Sequence, residues 1–301
     1  MDSTFNMTVT YNREHNAQYP IIVTDNERVT VKLVQRHDNL MTLECHYPRY
    51  IHSEVMTHCM FSKSCASSRA IPVERIIEEV YHTDTSPLGV QREKHGMSGG
   101  EMLPDDIQSA FFIEWNKAKN NAIMTAHNMH KLGVHKQFIN RILEPFQTMH
   151  MVLTGTEWEH FLELRTNKDT VDPTMYRLAK CIQKVYDTRV HNENIEPNVH
   201  IPYVTFEDLF ITLQGSKNSV ISAMKVSAAR CARVSYYKHD RTPTTVENDI
   251  KLFNRLYKDK HMSPMEHQAV HTEDNSFYYK LYGFIPFRYM LENGLEDVTD
   301  D

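Results

Sequence analysis

A change in the spacing of apolar residues along the chain constrains its fold more than any other feature. Val29, Val31 and Leu33 alternate with polar residues, the period of a half-buried strand. His37-Asp38-Asn39 then supplies turn residues, and 40–46 forms a second β-like run with Leu43 and Cys45 on one face, so the pair predicts a hairpin. From Tyr50 the period lengthens. Ile51, Val55, Cys59 and Met60 recur at three- and four-residue spacing, which predicts a helix to about residue 60.

Helix signals dominate after that point. A short helix is expected over 73–81, followed by a polar, Gly-containing stretch, 82–103, that is the best candidate for a mobile loop. Pro104-Asp105-Asp106 places acidic residues at the positive end of a helix dipole and opens a helix to about Lys131, which Gly133 stops. A second helix follows over 135–146, and then a short apolar run over 149–153. Thr156-Glu157-Trp158-Glu159 has the pattern of a capping box for a helix ending near Arg165, and Asp172-Pro173 is an N-cap followed by an N1 proline. Further helices are expected over 205–213 and 218–233. Thr244-Thr245-Val246-Glu247 starts another, with Ile250, Phe253 and Tyr257 on one face. The aromatic run 277–290 reads as strand. The fold class is α+β (α/β), with a loosely patterned leader over 1–27, one domain over 28–290 and an acidic tail over 291–301.

Composition narrows the function. The 301 residues carry 39 acidic and 33 basic side chains for a net charge of −6, which argues against nucleic-acid binding through a broad basic face. No window approaches the ~18 consecutive apolar residues of a membrane span, and the N-terminus has no signal-peptide pattern, so a cytoplasmic location is expected. Five cysteines without C-x-x-C spacing predict reduced thiols rather than a disulfide framework or zinc ribbon. His261, Glu266 and His267 match neither H-E-x-x-H nor H-x-x-E-H, and Pro264 interrupts any single helical face, so no metal site is expected.

Chemistry concentrates in two short stretches, 58–69 and 261–267. The first is rich in hydroxyls and ends in Arg69; Ser hydroxyls, backbone N–H groups and a guanidinium all donate to anionic oxygens, so it has the composition of a phosphate cradle. By itself it is also compatible with a serine-rich loop capping the next helix.

The combination of five blocks resembles the flavin-dependent, ThyX-type thymidylate synthases, especially the longer versions found in phages. The blocks are Tyr47-Pro48-Arg49-Tyr50-Ile51-His52 leading into 58–72, Gly133-Val134-His135-Lys136-Gln137 with Asn140-Arg141, then 156–165, 229–236 and 261–267. In shorter family members the segment resembling 229–267 precedes the serine-arginine segment, so the order here looks circularly permuted, which is tolerable where termini lie close together. The resemblance implies a ThyX-like fold, with a central antiparallel or mixed sheet flanked by long helices, in a homotetramer with shared active sites. It also implies methylation of dUMP to dTMP with FAD, NADPH and methylenetetrahydrofolate, in the host cytoplasm if the chain is phage-encoded.

Residue by residue, the resemblance implies that Ser67, Ser68, Arg69 and Arg141 hold dUMP. Arg165 would both contact dUMP and act catalytically by stabilising negative charge on the uracil ring. His58, His261, Ser263 and Glu266 would lie at the flavin. Cationic contacts of the family are replaced by Thr57 and Cys59; its asparagine and glutamate fall at Ser64 and Cys65, a glutamine at Glu54, and two flavin-side residues at Thr154 and Thr156. These departures leave open a non-catalytic, nucleotide-binding relative that has lost FAD and serves a regulatory role or a host protein partner.

Overall fold

The computed structural model describes residues 7–11, 21–25, 28–189, 198–215, 219–234, 244–274 and 276–295. Its organising element is a six-stranded sheet made of β1 (Met7–Tyr11), β2 (Ile21–Asp25), β3 (Val29–His37), β4 (Leu40–Pro48), β5 (Ser62–Cys65) and β6 (Thr148–Gly155), in the order β1-β2-β3-β4-β6-β5. Every pairing in it is antiparallel. The β3–β4 hairpin turns at Asp38, whose φ of 52° lies in the left-handed region that Asp tolerates.

Around the sheet, two stretches differ from the sequence reading. Within the segment read as a leader, β1 and β2 extend the sheet from β3, because backbone ladders form without a long alternating pattern. The helix expected to about residue 60 is a 3-10 turn at Arg49–Ile51 and the short α1 (His52–Met56). The chain then enters β5, which pairs with β6 at the sheet edge.

The two faces of the sheet differ in chemistry. In register, Leu43 meets Leu153, Cys45 meets Met151 and Tyr47 meets Met149, and all six are buried in one apolar cluster. Helices α5 (Trp158–Arg165) and α6 (Pro173–Asp187) bring Trp158, Phe161, Met175, Leu178 and Ile182 into that cluster. Each such side chain contributes about 1.5–3 kcal/mol by leaving water. Asp172 caps α6 through bonds from the Thr174 and Met175 N–H groups at 2.8 and 3.1 Å. On the opposite face the register pairs Thr42 with Thr154 and His46 with His150.

A second apolar cluster joins α2 (Val73–His82), α3 (Asp105–Lys131) and α4 (Lys136–Leu143). Gly133, with φ of 75°, ends α3 as its position requires. The third cluster holds α7 (Phe206–Gly215), α8 (Ser219–Arg233), α9 (Val246–Lys258) and a 3-10 turn at Ser263–Glu266. Around it lie β7 (Val199–His200), β8 (Ala269–His271) and β11 (Phe284–Pro286), which form a small sheet, and the hairpin β9 (Phe277–Tyr278) and β10 (Leu281–Tyr282). The run read as strand over 277–290 is thus three short strands followed by helix α10 (Phe287–Glu292). Residues 296–301 of the expected acidic tail lie outside the described residues.

Candidate functional site

Arg165 ends α5 and is held by α1 and the turn after it. The helix is seated by Trp158, which donates 2.7 Å to the Gly155 carbonyl and packs on Phe61 at 4.4 Å between ring centroids. Arg165 Nε donates to His58 Nε2 at 2.8 Å, with Nη1 at 3.4 Å from Glu54 Oε2 and Nη2 at 3.4 Å from Thr57 Oγ1. Burial and then the Arg165 charge hold His58 down to about 4, so it is a neutral acceptor near pH 7. Burial and Asp172 push Glu54 up while Arg165 opposes them. The Glu54 carboxyl thus faces the Arg165 guanidinium.

The serine-arginine turn is built from behind. Asn140 Nδ2 donates to the carbonyls of Ser68 and Ile71 at 2.6 and 3.0 Å, and the Ala70 N–H closes on the Ser67 carbonyl at 3.0 Å. Ser68 is buried and donates 2.7 Å to Glu144, which Arg49 also binds at 2.8 Å. That commitment removes the Ser68 hydroxyl from the expected phosphate donors. Ser67 is half-buried, and Arg69 and Arg141 are exposed with no side-chain partner among the described residues. This group and the Arg165 group lie beyond opposite ends of β5, four residues that span about 13 Å at strand rise.

The two stretches prominent in the sequence meet across a third feature. Lys63, Ser64 and Cys65 of β5 face His261, Ser263 and Pro264 across a cavity of about 180 Å3. Behind it, His267 is fully buried and bonded to both Thr154 and Ser64. Glu266 takes bonds from Lys280 at 3.0 Å and Arg288 at 2.7 Å, which outweigh burial and hold its carboxyl below the usual range.

No protein-family model and no curated protein matches the sequence. Among solved structures, the chain is similar to the UMP/dUMP methylase PolB from Streptomyces cacaoi bound with 5-Br UMP. The TM-score is 0.40 at 17% identity, over 50% of this chain and 69% of that one. The same enzyme bound with 5-Br dUMP gives a TM-score of 0.39 at 16% identity, over 50% and 67%.

Several of the residues matched to flavin contacts are committed to partners within the chain. His58 accepts from Arg165, and Glu266 is doubly paired. Thr154 is fully buried. The Thr156 hydroxyl accepts from the Tyr282 N–H at 3.1 Å instead of capping α5. His261 and Ser263 line the cavity of about 180 Å3, below the ~300–1,000 Å3 of ordinary ligand pockets.

Several arrangements escaped the sequence. Arg230, in a block matched to the family, is bound by both oxygens of Asp208 at 2.6 and 2.7 Å and by Asp249 at 2.8 Å, so it is structural. A larger cavity of about 900 Å3 lies between the 88–102 loop and α6, with Arg92, Lys94, Lys168 and Tyr176 on its walls. Among the described residues, no group of three or more His, Cys, Asp or Glu is arranged to hold a metal ion, and no helix is long and apolar enough to cross a membrane.

Proposed function

We propose that the chain is a ThyX-like protein that binds dUMP through Ser67, Arg69 and Arg141 and directs methylation at C5 of its uracil ring. The observation that carries this reading is the Ser67–Arg69 turn, locked from behind by Asn140 while the guanidinium groups of Arg69 and Arg141 stand exposed and unpaired. A phosphate dianion supplies the partner they lack. Arg165, held through Nε, keeps Nη atoms that can stabilise negative charge on the ring and so make C5 nucleophilic.

Because the phosphate group and Arg165 lie beyond opposite ends of β5, one nucleotide reaches both when two copies share a site. The homotetramer that the resemblance implies has this property. Its support here is α3, which buries only Ala122 and Ala126 of its 27 residues and leaves Ile107, Ile113 and Met124 exposed. FAD, NADPH and methylenetetrahydrofolate are the donor side implied by the same resemblance. Visible absorption of the purified protein with added FAD and dUMP, and release of the C5 hydrogen of dUMP when NADPH and methylenetetrahydrofolate are present, test the methylation.

A second reading is a nucleotide-binding or regulatory protein, with a host protein as partner, that has lost FAD. The internal pairing of Glu266, Thr154 and Thr156 favours it. Rescue of a thymidine-requiring bacterium by the expressed chain rejects this second reading; dUMP binding without FAD uptake or C5 release supports it.

A further inference from the structure

A buried chain of hydrogen bonds crosses the polar face of the sheet and ends at the small cavity. His200 Nε2 lies 2.7 Å from Thr42 Oγ1, which lies 2.7 Å from Thr154 Oγ1. Thr154 Oγ1 is 2.8 Å from His267 Nδ1, and His267 Nε2 is 2.9 Å from Ser64 Oγ. Thr42, Thr154, His200 and His267 are fully buried. Burial keeps both imidazoles neutral, holding His267 down to about 4 and His200 well below its usual value.

A hydroxyl has one hydrogen, and a neutral imidazole has one N–H and one bare nitrogen. Each inner member therefore donates on one side and accepts on the other. All the bonds must point the same way, so only two arrangements exist.

The far end chooses between them. His200 Nδ1 has no hydrogen-bond partner among the described residues. If the bonds ran from Ser64 toward His200, Nδ1 would carry the proton as a buried N–H without an acceptor. A bare acceptor is the milder orphan, since unpaired buried N–H groups are the rarer kind in folded proteins.

We infer that the bonds run from His200 to Ser64, so that Ser64 accepts from His267 and offers its own proton to a small oxyanion, a phosphate or a carboxylate, in the cavity. Lys63, His261 and Ser263 line the same space and can add donors to that ligand. Its volume of about 180 Å3 suits a small anion. The site shares no residue with the dUMP contacts proposed above, so it stands or falls separately from them; His261 and Ser263 are ones the resemblance places at the flavin.

Histidine 1H–15N spectra of the full-length protein test the direction. The expected result is that His200 and His267 are both protonated at Nε2 and bare at Nδ1; a proton on Nδ1 of either overturns it. Inorganic phosphate and acetate, titrated separately while the His267 signals are followed, test the ligand and distinguish its two sources. At least one is expected to bind, and Ser64→Ala is expected to weaken that binding about tenfold or more. If neither anion moves the signals, or if the variant binds equally well, the oxyanion site is wrong.

Discussion

Arg165 Nε donates to His58 Nε2 at 2.8 Å, and the bond fixes the tautomer of one partner and the orientation of the other. His58 is 4% exposed and packs edge-on to Phe161 at 4.8 Å, so it cannot swing away to another donor. His58→Ala leaves the Arg165 Nε–H without its acceptor and is expected to lower stability by about 1–3 kcal/mol. His58→Gln, which retains an acceptor, is expected to recover part of the loss. Urea unfolding midpoints of the two variants measure the difference.

Glu54→Gln removes the carboxylate beside Arg165. Its Oε2 sits 3.4 Å from Nη1, and the two side chains are 38% and 22% exposed, so solvent screens the pair and its net worth is about 1 kcal/mol or less. The substitution is expected to cost little stability and to tighten binding of dUMP several-fold, because the guanidinium then has no competing anion. Calorimetric titration of wild type and variant with dUMP decides the point; weaker binding by the variant would count against Arg165 as a ring contact.

Arg69→Ala and Arg141→Ala are each expected to weaken dUMP binding by about 1.5–3 kcal/mol, the usual contribution of a hydrogen bond to a charged group. Neither side chain has a partner among the described residues, so thermal midpoints should stay unchanged. Ser68→Ala is expected to act the other way round. Its hydroxyl donates to Glu144 rather than to open solvent, so the loss appears in stability more than in affinity. Equal affinities across all three variants would displace the nucleotide from this turn.

What could be read from the sequence was local. The β3–β4 hairpin was legible because one buried face imposes alternation, and α6 because Asp172 and Pro173 cap it from within four residues of chain. What escaped depends on residues far apart. Ser62–Cys65 looks like a loop because its strand character comes from pairing with β6. Thr156 satisfies a capping pattern, yet its hydroxyl is taken by Tyr282 from the far end of the chain. The 58–69 and 261–267 stretches meet at one cavity across nearly two hundred residues of chain, and the Thr42–Thr154 pairing that leads to His267 is set by strand register, which no spacing in the sequence encodes.

Stability is expected to fall on mild acidification. His58 and His267 are both held down to about 4 by burial, against an unperturbed value of about 6.5. The unfolded chain therefore binds more protons between these values, and stability declines as pH drops from about 6.5 toward 4. Above 6.5 these groups contribute no slope. Glu44 works in a lower window. Bonds from His46 and Tyr203 and the Lys32 charge outweigh its burial and hold it to about 2, so its contribution is lost only as pH falls below its ordinary range. Urea unfolding at pH 4.5, 5.5, 6.5 and 7.5 checks the sign, and a flat response between 4.5 and 6.5 would contradict the buried neutral histidines.

Asp249 tests the packing of α8 against α9. It is fully buried and takes bonds from Arg230 Nε at 2.8 Å, Arg233 Nε at 3.0 Å and the Thr244 hydroxyl at 2.7 Å. Removing one partner from such a network strands the remaining charges, which typically costs 3–5 kcal/mol, whereas a surface pair costs about 1 kcal/mol or less. Asp249→Ala is therefore expected to destabilise by about 3–5 kcal/mol, and Glu247→Ala, which breaks only the exposed, solvent-screened pair with Lys251, to change stability far less. Denaturant unfolding of both variants measures the contrast. Similar losses in the two would mean that the Arg230–Asp249–Arg233 network is solvated rather than sealed between the helices.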